Sequence, residues 1–127
     1  MIRQRIPETD IGITGEALVQ DYDDMQRKLR DRGLLETRDV IKSGITCGKV
    51  LEIGPGPGYL GLEWLKKCPN ATLHWLEISK DMIRLAGHNA EQYNLKDRIS
   101  VMQSDATDRF PFGLSIFGGK SDNEKSF

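Results

Sequence analysis

The chain has 127 residues, of which 38% are hydrophobic and 29% charged, and its formal net charge is −1. That size fits one domain with a modest core, and the near-neutral charge excludes a global basic field that would draw the chain to nucleic acid or to an anionic membrane surface. No apolar run is long enough to span a bilayer. Met1-Ile2-Arg3-Gln4-Arg5 carries charge with no apolar stretch behind it, which does not fit a secretory signal. Cys47 and Cys68 form no CxxC pair and have no histidine at zinc spacing. The expectation is a cytoplasmic protein with reduced thiols and no metal.

Residues 1–13 read as an irregular lead-in. Thr14 suits the cap of a helix that runs to about Arg32, with Gly33 as its stop. Leu18, Tyr22, Met25 and Leu29 share one face of that helix at helical spacing, and Asp21, Asp23, Asp24, Arg27 and Lys28 take the other. A short second helix spans residues 36–43 and ends at Gly44, completing a helical lead-in over residues 1–48. The pattern then changes. Residues 49–53 read as a buried strand, Gly54-Pro55-Gly56-Pro57-Gly58 as a tight loop, and residues 59–68 as a helix with Leu60, Trp64 and Leu65 apolar. Pro69-Asn70 breaks it. Residues 72–78 form a second strand. Ser79 caps the next helix, lined by Met82, Leu85, Ala86, Ala90 and Tyr93, and Asp81 suits its positive end. Residues 99–103 make a third strand that ends at Ser104-Asp105-Ala106. Strand, helix, strand, helix, strand argues for an α/β protein with a parallel sheet and right-handed crossovers. Past Phe112 the pattern is lost. Residues 113–117 could make one short strand, and residues 113–127 as a whole read as an irregular or disordered tail.

The chemistry concentrates in Glu52-Ile53-Gly54-Pro55-Gly56-Pro57-Gly58. A strand that enters a glycine turn and then a helix brings bare backbone to a ligand, because a Cβ would block the turn or the approach, and the helix N-terminus offers N–H groups and a positive dipole. Gly56-Pro57-Gly58-Tyr59-Leu60-Gly61 also satisfies the dinucleotide pattern GxGxxG, so an NAD- or FAD-dependent oxidoreductase is one reading. Two features favour S-adenosylmethionine. Glu52 is a carboxylate in a buried strand, costly without a role, and able to organise the loop and attract an ammonium group. The dinucleotide register would also begin two residues past the end of the strand. Glu77, at the end of the second strand, can accept hydrogen bonds from both hydroxyls of a ribose, which both cofactors have. Asp105, after the third strand, can accept from an adenine amino group, with the Ala106 N–H donating to the ring.

These residues resemble the class I S-adenosylmethionine-dependent methyltransferases. Val50-Leu51-Glu52-Ile53-Gly54-Pro55-Gly56-Pro57-Gly58 is similar to the family's first motif, Leu76-Glu77-Ile78-Ser79-Lys80-Asp81-Met82-Ile83-Arg84-Leu85-Ala86 to its second, and Gln103-Ser104-Asp105-Ala106 to its third. The resemblance covers residues 49–112. It implies a Rossmann-like half-domain in which Gly54, Gly56 and Gly58 shape the loop that holds the methionine part, Glu52 supports it, Glu77 holds the ribose, and Asp105 with Ala106 reads the adenine edge. Met82 would pack on the adenine ring, or serve as an ordinary core residue. Tyr22-Asp23 resembles a tyrosine that closes over the methionine end in some members, and a core tyrosine is the preferred reading. The implied activity is methyl transfer from S-adenosylmethionine to an unidentified, small-molecule acceptor.

The family's sheet has seven strands in the order 3-2-1-4-5-7-6, and this sequence supplies the first three clearly. A fourth strand with an acidic start is expected soon after Phe112, and residues 113–117 lack the acid. The resemblance therefore implies the N-terminal half of the fold, with the first strand left as an open edge through which copies could associate. No catalytic residue is named, since residues that bind the acceptor usually follow the third motif. A non-catalytic module that binds S-adenosylmethionine or pairs strands with a partner stays open beside the enzyme. His74 and His88 make no metal pair, the serines lack a nucleophile elbow, and the basic residues of the first helix are interleaved with acids, so nothing indicates nucleic acid.

Overall fold

The computed structural model describes residues 14–104, together with the backbone of a strand at residues 115–118. The elements run α1 (Glu16–Asp31), α2 (Thr37–Lys42), β1 (Gly48–Ile53), α3 (Tyr59–Lys67), β2 (Ala71–Glu77), α4 (Lys80–Gln92), a 3₁₀ turn (Lys96–Arg98), β3 (Ile99–Gln103) and β4 (Ser115–Gly118). The strands form one parallel sheet in the order β3-β2-β1-β4. The expected α/β order and Rossmann-like partial sheet are therefore present.

Two expectations at the sheet edge change. Val50 pairs with Ser115 and Ile53 with Gly118, so β1 is an interior strand and not an open edge. The stretch read as an irregular tail over residues 113–127 contains that strand. Residues 115–118 have no acidic start, but pairing a strand needs only its backbone groups, which the exposed side of β1 supplies.

Alternation along the strands sends Val50 and Glu52 of β1, and Leu73 and Trp75 of β2, toward the helices. The core there includes Val50, Leu62, Trp64, Leu65, Leu73, Trp75, Ala86 and Ala90, all buried. Burying large apolar side chains of this kind is the main favourable term in folding. Trp64 also donates its indole N–H to the Ile45 carbonyl at 2.8 Å, fixing the connection into β1. Arg98 donates to the carbonyls of Cys68 at 2.6 Å and Ala71 at 3.0 Å, which satisfies groups left over where α3 ends and β2 begins.

The helix ends follow local chemistry. Ser79 caps α4 by accepting from the Met82 N–H at 3.1 Å. Gly33 stops α1 at φ +71°, with Leu34 N–H donating to Leu29 O at 2.8 Å and Gly33 N–H to Arg30 O at 3.0 Å, a Schellman arrangement. Thr14 is not the cap of α1. Gly15 occupies that position without a side-chain cap, and its N–H donates instead to the Asp81 carboxylate at 2.9 Å.

Packing decides which face of α1 is turned inward. The residues buried by α1 are Val19 and Asp23, whereas Leu18 is 45% exposed and Met25 and Leu29 are half-buried. Tyr22 lies at the boundary. The stripe of Leu18, Met25 and Leu29 thus points largely outward, and α1 docks through polar groups described below.

Candidate functional site

The carboxyl ends of β1, β2 and β3 converge where Gly54, Glu77 and Ser104 meet. Gly54 N–H donates to Leu76 O at 2.8 Å and Ser104 N–H to Glu77 O at 3.0 Å, so backbone bonds hold the three strand ends together. Ligands of open α/β sheets bind outside this end.

The glycine loop is internally tied. Gly56 N–H donates to one oxygen of the Glu77 carboxylate at 3.2 Å, and Ser79 N–H donates to the other at 2.9 Å. Gly58 N–H donates to Pro55 O at 3.0 Å. Since Gly54 N–H is bound to Leu76 and the prolines have no N–H, residues 54–58 hold no backbone donor in reserve. Glu77 is buried at 8% exposure and keeps lone pairs on both oxygens.

The glycines divide by role. Gly54 (φ +66°) has open space where a Cβ would stand. A Cβ on Gly58 (φ +90°) would lie 2.7 Å from the Trp75 ring, and one on Gly61 would meet the Glu52 carboxylate and, at 2.7 Å, Leu73. Gly58 and Gly61 therefore let α3 settle onto the sheet, whereas Gly54 leaves the loop open. The Tyr22 ring lies over Gly56, with its Cε2 3.1 Å from where a Cβ would be.

Glu52 lies beneath α3 at 3% exposure and accepts the Trp75 indole N–H at 2.7 Å. Burial pushes its carboxyl up to about 8, the Trp75 hydrogen bond opposing the rise and the charge of Glu77 adding to it. One of its oxygens is thus bound to Trp75 under the loop. Glu52, expected from the sequence to organise the loop, has its carboxyl against Trp75 of β2 and beneath Gly61 of α3. Any influence on a ligand's positive charge would act through the field between Glu52 and Glu77.

Met82 is buried at the first turn of α4, behind Ser79. Asp105 and Ala106, expected to read an adenine edge, lie outside the described residues, and β3 delivers the chain to Ser104 immediately before them.

Sequence reading missed a polar relay that carries α1. Asn89 donates to the Asp23 carboxylate at 3.1 Å and to Pro57 O at 2.9 Å, and Arg27 donates to the other Asp23 oxygen at 2.7 Å. One buried amide thereby joins α1, α4 and the glycine loop. Arg30 donates to the Tyr93 hydroxyl at 3.1 Å, which donates in turn to Glu63 at 2.6 Å. The available signal was Asn89 itself, a polar residue three positions after Ala86 on the face of α4 that also carries Met82 and Tyr93.

Such a site, with a glycine turn after β1 and an acid at the end of β2, defines a Rossmann-like domain that binds a nucleoside-containing ligand at its strand ends. The family described as Methyltransferase domain matches residues 50–117, more than half of the chain, and the chain belongs to this family. The erythromycin 3''-O-methyltransferase of Saccharopolyspora erythraea is 33% identical over 76 residues, covering 59% of this chain and 24% of that protein. The ribosomal RNA small subunit methyltransferase A of Alcanivorax borkumensis is 38% identical over 88 residues, covering 68% of this chain and 29% of that protein. Among solved structures, a protein assigned as an S-adenosyl-L-methionine-dependent methyltransferase from Methanococcus maripaludis superposes with a TM-score of 0.66 at 24% identity, over 86% of this chain and 48% of that one. This chain spans about a quarter of the curated relatives' length and about half of the structural neighbour's.

Proposed function

We propose that this chain forms the cofactor-binding half of an S-adenosylmethionine-dependent methyltransferase. The observation that carries the reading is the state of the glycine loop. A pyrophosphate needs backbone N–H donors, yet the N–H groups of Gly54, Gly56 and Gly58 all donate within the protein. The Glu77 carboxylate also stands beside the loop and would repel a doubly anionic pyrophosphate, whereas burial holds Glu52 protonated near neutral pH. The same arrangement favours a ligand that carries positive charge, which argues against NAD or FAD despite the GxGxxG match.

S-adenosylmethionine supplies an activated methyl group on a positively charged sulfur. Gly54 offers the open backbone against which its methionine part would lie. Glu77 has the free lone pairs to accept both ribose hydroxyls while it holds Gly56 and Ser79. Met82, Asp105 and Ala106 are assigned to the adenine end, on the strength of their place after β2 and β3. Alignment of an acceptor with the methyl group is the main demand of such a transfer. We infer a small-molecule acceptor, because the net charge of −1 gives no global basic field toward a polynucleotide.

Calorimetric titration with S-adenosylmethionine, S-adenosylhomocysteine and NAD tests the reading. Saturable binding of the first two and none of NAD is expected. Glu77→Ala should weaken that binding at least tenfold in a chain shown by circular dichroism to be folded, on the scale of losing a charged hydrogen-bond acceptor. Binding of NAD instead, or no binding by the folded chain, would remove the proposal.

A further inference from the structure

We propose that the outward face of α1 is a self-association surface that pairs two copies of this chain with their α1 helices antiparallel. Leu18, Met25 and Leu29 recur at intervals of seven and four, so they form one stripe along the helix. The core does not use it: Leu18 is 45% exposed, Leu34 just past the helix is 59% exposed, and Met25 and Leu29 are half-buried. The stripe borders an open groove of about 460 Å³ lined by Asp21, Asp24, Met25, Lys28, Leu29 and Arg32. An apolar stripe rimmed by charges is the form of an interaction surface.

The charges name the occupant. Asp21 and Lys28 lie seven residues apart on the same outer flank of the stripe, both are exposed, and neither makes an ion pair among the described residues. A two-fold axis makes residue i of one copy meet residue j of the other, and j meet i. If that axis crosses α1 near Met25 and perpendicular to it, Asp21 of each copy stands opposite Lys28 of the other. Met25 then lies at the centre, and Leu18 packs beside Leu29 of the second copy. A parallel arrangement would set this flank against the inner flank, where Val19 and Gln26 sit, and leave both charges without complement. Self-complementarity thus selects a second copy in antiparallel orientation. Two helices of 16 residues bury an area near the lower limit for specific interfaces, so the expected dimer is weak, dissociating at about micromolar concentration or above.

Sedimentation velocity of the whole chain over roughly a hundredfold concentration range, reaching well above that value, tests this. A monomer–dimer equilibrium is expected. Asp21→Lys or Lys28→Asp alone should weaken it about tenfold, because each replaces two attractions by two repulsions. The two exchanges together should restore it, since the pairs are again opposite in sign. Both residues are exposed, so the fold should survive, as circular dichroism would verify. A chain that stays monomeric throughout overturns the proposal. So does self-association that ignores the single reversals, the outcome expected if copies join through β4, and so does failure of the double exchange to rescue.

Discussion

Helices α1 and α3 both border the glycine loop, yet opposite physics holds them. Helix α3 buries Leu62, Trp64 and Leu65 in the core with Val50, Leu73 and Trp75 of the sheet. Helix α1 buries one apolar residue, Val19, and is docked by Asp23 through Asn89 and by Arg30 through Tyr93. Apolar burial is non-directional and tolerant of small shifts, whereas a buried amide–carboxylate contact works in one geometry and is costly when half removed. The loop is therefore fixed from the sheet side by the core, and covered from the Tyr22 side by a helix held mainly through polar contacts.

The most damaging change should be Trp75→Ala. It removes the largest side chain shared by β2 and α3 and takes the indole donor from Glu52, so a loss of about 3–5 kcal/mol is expected in denaturant unfolding.

Glu52→Gln should act in the opposite direction. In the folded chain Glu52 keeps its proton up to about pH 8, because burial disfavours the ion, while in the unfolded chain it ionises near 4.5. Between those values the folded state binds more protons, so wild-type stability falls as pH rises through that window. Glutamine keeps the acceptor for Trp75 and has no proton to lose. The variant should gain stability over wild type progressively from about pH 4.5 to about pH 8, reaching on the order of a few kcal/mol, and match it in acid. Parallel pH profiles of the two proteins would contradict that burial.

Gly61→Ala should cost about 1–3 kcal/mol, since its Cβ meets Glu52 and Leu73 and α3 must lift from the sheet. Asn89→Ala tests the other helix. Its expected cost is about 1–2 kcal/mol, felt locally: amide exchange should quicken across residues 16–31 and at the glycine loop, while the protection of β1 and β2 stays near wild type. Uniform acceleration over the whole chain would mean that α1 and the core unfold together.

By itself the sequence determined the order of elements, the glycine turn after β1, the acid at the end of β2 and the cap at Ser79. These are local features, set by periodicity, by residues that tolerate positive φ, and by side chains that satisfy their own helix end. Tertiary structure decided the rest. Periodicity shows that Leu18, Met25 and Leu29 share a face but carries no information on which face meets the core. The relay from Asp23 through Asn89 to Pro57, spanning 66 residues in one step and 32 in the other, turned the polar side of α1 inward. Glu52 met Trp75 because parallel register paired those positions, and β1 gained β4 because unpaired backbone groups took the strand that the topology brought to them. Each of these contacts joins segments distant in the chain, and only the closed fold brings them within hydrogen-bonding range.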